Sequence, residues 1–181
     1  MPATGVAALL LASGLAAQPL SQHDRDFAMS ALHASQKAFL DATAGLSAKQ
    51  TQFKAAPDQW SIADIAEHLA VTEPFLFGLI APALKGAPDA AKKEAVKGND
   101  DQILKGYANR DQKVKAPPPA TPSGRFPTLA AAVDEFKRQR TSTITYVKTT
   151  SDPLRDRFFD NFAGSSPFHI KGIAPGRLCS I

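Results

Sequence analysis

The chain has 181 residues, 44% hydrophobic and 21% charged, which suits one globular domain with a sizeable core. Its single cysteine, Cys179, rules out an internal disulfide. The net charge of +4 divides unevenly, with five Lys or Arg against eight Asp or Glu in residues 1–90 and sixteen against nine in residues 91–181. The basic residues of the second half are scattered among acids and have few interleaved aromatics, so they read as a solvated helix face, with no nucleic acid expected as a partner; nucleic-acid binding through this half is the rival reading.

In chain order, residues 1–17 resemble a secretory signal. Val6 to Ala12 is an apolar run, and Gly14-Leu-Ala-Ala is a small-residue end that a signal peptidase could cut. The run is too short to span a bilayer, so the reading is export without a transmembrane segment; a frayed apolar terminus in a cytoplasmic protein is the rival.

Ser21 with Asp24 opens the first predicted helix, which Gly45 closes. Phe27, Ala31, Ala34 and Ala38 form its apolar stripe, broadened by Met29, Leu32, Phe39 and Leu40. His23 and His33 are read as surface residues. Ser47 and Gln50 predict a short helical turn, followed by a loop at Pro57.

Trp60-Ser-Ile-Ala-Asp-Ile-Ala-Glu-His-Leu-Ala-Val-Thr72 is the most informative stretch. Ser61 and Asp64 form a capping-box-like start, with Asp standing in for Glu. Ile62, Ile65, Leu69 and Leu76 recur at helical spacing. His68 lies beside that stripe, either as a satisfied core residue or as a metal ligand. Asp64, four residues earlier, could orient the ring, though capping alone accounts for it. Glu67 and Glu73 are read as facing solvent. Pro74 is expected to kink or end this helix near Glu73, with a second segment broken at Pro82.

Gly86 to Asn99 reads as a polar connection, and residues 100–111 as a further helix. Ala116-Pro-Pro-Pro predicts a stiff polyproline II spacer within the domain; an SH3-type ligand is the alternative. Thr128 then caps the most periodic helix, with Leu129, Val133, Phe136, Ile144 and Val147 on one stripe and a polar gap at Arg140. Leu154 to Phe162 is expected to form a short amphipathic helix. Residues 164–181 read as an irregular tail, punctuated by Gly and Pro. No phosphate loop, Cys-x-x-Cys pair or Ser-His-Asp signature occurs, and Cys179 lacks a partner for nucleophilic chemistry.

Four stretches resemble the DinB-like family: Phe39-Leu-Asp-Ala-Thr-Ala-Gly-Leu-Ser, Phe53 to Ala70 with its Trp-Ser…His-Leu core, Pro122-Ser-Gly-Arg-Phe, and the helix from Arg140 to Thr150. Together they cover roughly residues 21–163, taken as the domain. The resemblance implies an all-α, up-down-down-up four-helix bundle. It also implies a divalent metal such as Zn, Ni or Fe held by three His, one on the second helix and a His-x-x-x-His pair on the last. Some members are thiol transferases acting on low-molecular-weight thiols, and others are thought to be hydrolases.

His68 matches the first ligand. The paired His has no counterpart, since His169 is followed by Ile-Lys-Gly. The expectation is therefore a bundle whose last long helix is missing or replaced by the tail, through truncation or frameshift, with an incomplete metal site, no metal bound and no activity. Loss of one helix would expose a strip worth on the order of 10 kcal/mol of burial. That strip could serve a homodimer, or a non-catalytic exported module binding a small ligand or protein.

Overall fold

In a computed structural model of the chain, residues 19–95 and 115–158 are described. They form helices joined by loops, with no strand among them. The helices are α1 (Gln22–Thr43), α2 (Ala48–Gln52), α3 (Ile62–Phe77), α4 (Ile80–Lys85), α5 (Ala90–Ala95) and α6 (Leu129–Thr149), with 3-10 turns at Pro118–Ala120 and Leu154–Asp156. Among the described residues no helix is long and apolar enough to cross a membrane.

The three helix starts read from Ser21, Ser47 and Ser61 all carry full capping boxes, with Asp24, Gln50 and Asp64 as the reciprocal partners. Each serine takes one orphan backbone N–H and its partner takes another, so two of the donors at each helix start are satisfied within the chain. Thr128 caps α6 by accepting from the Ala131 N–H at 3.1 Å. Gly45 follows the α1 C-cap with φ +70°, the left-handed conformation that ends a helix cleanly.

The long helices α1, α3 and α6 make the core. Arg25, at the start of α1, donates to the carbonyls of Val147 and Thr150, at the end of α6. Phe39, near the other end of α1, meets Phe136 edge-on at 4.7 Å. These contacts make α1 and α6 antiparallel. Helices α3 and α6 run parallel: Ala66 and Leu69 share a cluster with Ala132 and Phe136, and Phe77 meets Tyr146 further along. The order is thus up, down, down, as the family resemblance implies for the first three helices. The fourth position falls outside the described residues, as do the signal-like segment, the helix expected at 100–111 and the tail.

Several expectations are corrected. The buried face of α1 is Ala28, Leu32 and Phe39; Leu32 and Phe39 belong to the expected apolar set, but Phe27 is 44% exposed and Ala28 takes its place. A 22-residue helix rich in alanine offers two adjacent apolar faces, and packing on α6 selects between them. Helix α3 runs through Pro74 to Phe77. The break comes at Gly78, whose N–H reaches the Pro74 carbonyl at 2.9 Å. The lost proline donor is offset by Phe77, which packs on Tyr146 at 5.0 Å. Pro82 lies in the first turn of α4, where its missing N–H breaks no helical bond.

The polar connection after Gly86 contains a short helix, α5, fastened to the Leu154–Asp156 turn by a Lys93–Asp156 ion pair. Of the helix expected over Leu154 to Phe162, the described residues hold a 3-10 turn at Leu154–Asp156, and residues beyond 158 lie outside the described set. The proline run is not a continuous spacer either. Pro117 is extended at φ −65°, ψ 155°, but the chain then closes into a 3-10 turn that buries Ala120 completely.

The largest correction concerns charge. Glu67 and Glu73 do not face solvent: they are 4% and 1% exposed. Arg140 does not leave a gap in the α6 stripe but fills it, at 1% exposure. Its guanidinium donates to both oxygens of Glu73, to the Leu32 carbonyl at 2.8 Å and to the Ser35 hydroxyl at 2.7 Å. One buried cation therefore ties α1, α3 and α6 together.

Candidate functional site

The capping box at Ser61 fixes where α3 begins, and so fixes which way residues 67 and 68 point. Ser61 is itself buried. Its N–H donates to Asp64 Oδ2 at 2.9 Å and its hydroxyl accepts from the Asp64 N–H at 3.1 Å. One helical turn on, His68 is half-buried between α3 and the proline turn.

The ring has defined partners. Nδ1 lies 2.7 Å from the Ala120 carbonyl oxygen and 3.2 Å from the Thr72 hydroxyl. A carbonyl can only accept, so the shorter contact places the proton on Nδ1. This leaves Nε2 as the lone-pair nitrogen, and it has no hydrogen-bond partner among the described residues. The Trp60 ring leans over the imidazole, with centroids 4.9 Å apart and planes at 49°. A histidine held by a backbone carbonyl at Nδ1, with Nε2 left over, is the usual arrangement of an imidazole that binds something through Nε2.

The adjacent Glu67 is anchored to the loop that follows Ala120. Its carboxylate accepts the backbone N–H of Ser123 at 2.7 Å, of Gly124 at 2.9 Å and of Arg125 at 3.1 Å. The Arg125 guanidinium adds a contact at 3.2 Å and also reaches the Thr121 carbonyl at 3.1 Å. Three consecutive amides turned toward one anion form a nest, which the φ of +77° at Gly124 makes possible.

Of the residues singled out in the sequence, His68 stands at this site and Asp64 stands away from its chemistry. The Asp64 carboxylate serves Ser61 and pairs with Lys54 at 2.7 Å. The groups that contact the His68 ring at Nδ1 are the Ala120 carbonyl and the Thr72 hydroxyl. Burial pushes the Asp64 carboxyl up, but the hydrogen bonds from Lys54 and Ser61 outweigh it and hold it below its ordinary 3.8. His23 and His33 are exposed on α1; His169 and Cys179 lie outside the described residues.

Sequence reasoning missed Glu67 and Ala120. A signal for Glu67 existed, because it falls among the buried Ala66, Leu69 and Ala70 rather than on a polar face. Nothing marked Ala120, whose contribution is a main-chain oxygen.

These features define an all-α helical bundle with a carbonyl-oriented histidine on its second long helix, held behind a Trp-Ser cap. The chain belongs to the DinB superfamily, whose match spans residues 31–173. Comparison with curated proteins and with solved structures returns no match.

The superfamily is generally metal-associated, so the donor set bears testing. Among the described residues no three His, Cys, Asp or Glu side chains come together in a way that could hold a metal ion. Glu67, next to His68 in sequence, has its carboxylate filled by five donors, the Ser123 hydroxyl among them.

Proposed function

We propose that this chain is a DinB-superfamily domain that keeps the first ligand position of the family's metal site, His68, without a complete three-histidine centre. On this reading it lacks the metal-dependent thiol-transfer or hydrolytic chemistry of related bundles. The observation that carries it is the environment of His68: one oriented imidazole, with the carboxylates closest to it in sequence, Asp64 and Glu67, committed to a helix cap and a loop anchor. Metal analysis of the purified full chain tests the reading. No more than trace Zn, Ni or Fe is expected, equal in wild type and His68→Ala. Near-stoichiometric metal that disappears in His68→Ala overturns it.

A non-catalytic binding module is the second reading, favoured by the exposure of Phe53 at 68% and Trp60 at 40% on the loop that enters α3. Large aromatics displayed together at one end of a bundle are typical contact residues. Titration of the intrinsic fluorescence of Trp60, the only tryptophan, against candidate ligands would separate the two readings, because the first expects no ligand-dependent change.

A further inference from the structure

We propose that Glu67 is a positioning residue for His68: by pinning the amides of Ser123, Gly124 and Arg125, it holds the Ala120 carbonyl against Nδ1 and so fixes the Nδ1–H tautomer, reserving Nε2 as the acceptor nitrogen of the site. The inference rests on the placing of His68 at the candidate site, but not on any metal.

The mechanical path is short. Ala120 sits at the end of a 3-10 turn whose own bonds, Ala120 N–H to Pro117 O and Thr121 N–H to Pro118 O, fix its shape but not its distance from α3. Nothing in three consecutive prolines can supply more, because proline carries no N–H. Ala120 is itself packed against α3 and fully buried, and the polar tie to α3 comes after the turn. The Glu67 carboxylate gathers three successive amides, and the Arg125 guanidinium bridges Glu67 Oε1 to the carbonyl of Thr121, the residue next to Ala120. Because Glu67 and His68 are neighbours on one helix, the anchor and the ring it serves move as one body.

The energetic balance favours a precise fit. A carboxylate buried to this degree is costly unless its lone pairs are filled, and here four N–H donors and the more distant Ser123 hydroxyl fill them. The loop therefore cannot drift from α3 without stranding a charge. A neutral imidazole has two tautomers, and the hydrogen bond made by one nitrogen decides which is present. The Thr72 hydroxyl could bond either form of Nδ1, since it both donates and accepts. Only the carbonyl selects Nδ1–H.

Nitrogen-15 NMR of the imidazole in the full-length protein tests this directly, at a pH where the ring is neutral. In wild type, His68 is expected to show a pyrrole-type Nδ1 and a pyridine-type Nε2. In a folded Glu67→Gln variant the pattern should move toward a mixture or to Nε2–H, because an amide cannot accept all these donors. Ser123→Pro removes the closest donor from the loop side, leaves α3 untouched, and should shift the pattern the same way even if Glu67→Gln fails to fold. Thr72→Val should leave Nδ1–H in place. A wild-type Nε2–H ring, a pure Nδ1–H ring in the folded loop variants, or loss of Nδ1–H in Thr72→Val each overturns the proposal. The tautomer is read on protein treated with a chelator, so failure here and failure of the proposed function, which is read from metal content, are distinguishable.

Discussion

Arg140 donates through Nε to both carboxylate oxygens of Glu73, at 3.0 and 2.9 Å, with each side chain only 1% exposed. Its charge also lies 4.9 Å from the centre of the Phe136 ring. The pair is placed where three helices meet, and Nη1 of the same guanidinium donates to Leu32 and Ser35 of α1. Such a bridge is a device for specificity more than for net stability, since the cost of drying two charges nearly cancels their attraction.

Breaking it from one side is therefore expected to be severe. Arg140→Met leaves the Glu73 carboxylate buried and unpaired and should cost about 3–5 kcal/mol in urea unfolding. The double variant Glu73→Leu/Arg140→Met removes both charges and should recover most of that loss. A double variant as unstable as the single one would show that the contacts to α1, not the ion pair, dominate.

The cap at Ser61 gives a second prediction. It satisfies α3 and is buried, so water cannot replace it in Ser61→Ala. A loss of about 1–2 kcal/mol is expected, at the upper end for N-caps. Ser21→Ala and Ser47→Ala, at exposed caps, should lose less. Denaturant midpoints of the three variants check the ranking.

These caps were legible because they are local: each is spelled by a serine and a partner three residues on. The helix spans and the all-α class follow from the same local rules together with hydrophobic period. What the sequence hid was decided by distant partners. Arg140 interrupts an apolar stripe, and nothing within α6 reveals that Glu73 waits 67 positions away. Glu67 looks like an ordinary helix-surface acid until the loop at 123–125 closes over it. His68 was legible as a candidate, but its orientation was not, because the group that sets it is a backbone oxygen after three prolines.

Acid should weaken the fold through Asp24 and Asp64. Burial alone would raise both carboxyls. For Asp24, hydrogen bonds from Arg155 and Ser21 outweigh it; for Asp64, those from Lys54 and Ser61 do, and both end below 3.8. A carboxyl whose folded pKa lies below its unfolded value stabilises fully above the unfolded value and loses that contribution as pH falls through the folded one. Stability should thus hold steady down to roughly pH 4 and decline below it. Lys54→Met should flatten that decline while changing neutral-pH stability by less than about 1 kcal/mol, since the pair is partly exposed. Thermal melts across pH 2.5 to 7 would record both effects, the range being chosen about the carboxylate pKa.

The two glycines at positive φ separate local strain from site geometry. Gly45 and Gly124 have similar angles, 70° and 77°, and an added Cβ meets nothing within 4 Å at either. Alanine should therefore cost each about 1–2 kcal/mol of backbone strain. Only Gly124 carries an amide bound to Glu67, so only Gly124→Ala should disturb the contact between Ala120 and His68. Equal losses of stability with a perturbed His68 ring signal in Gly124→Ala alone are the expected outcome. If Gly45→Ala moves that signal as much, the His68 ring reports global stability and the loop has no special hold on it.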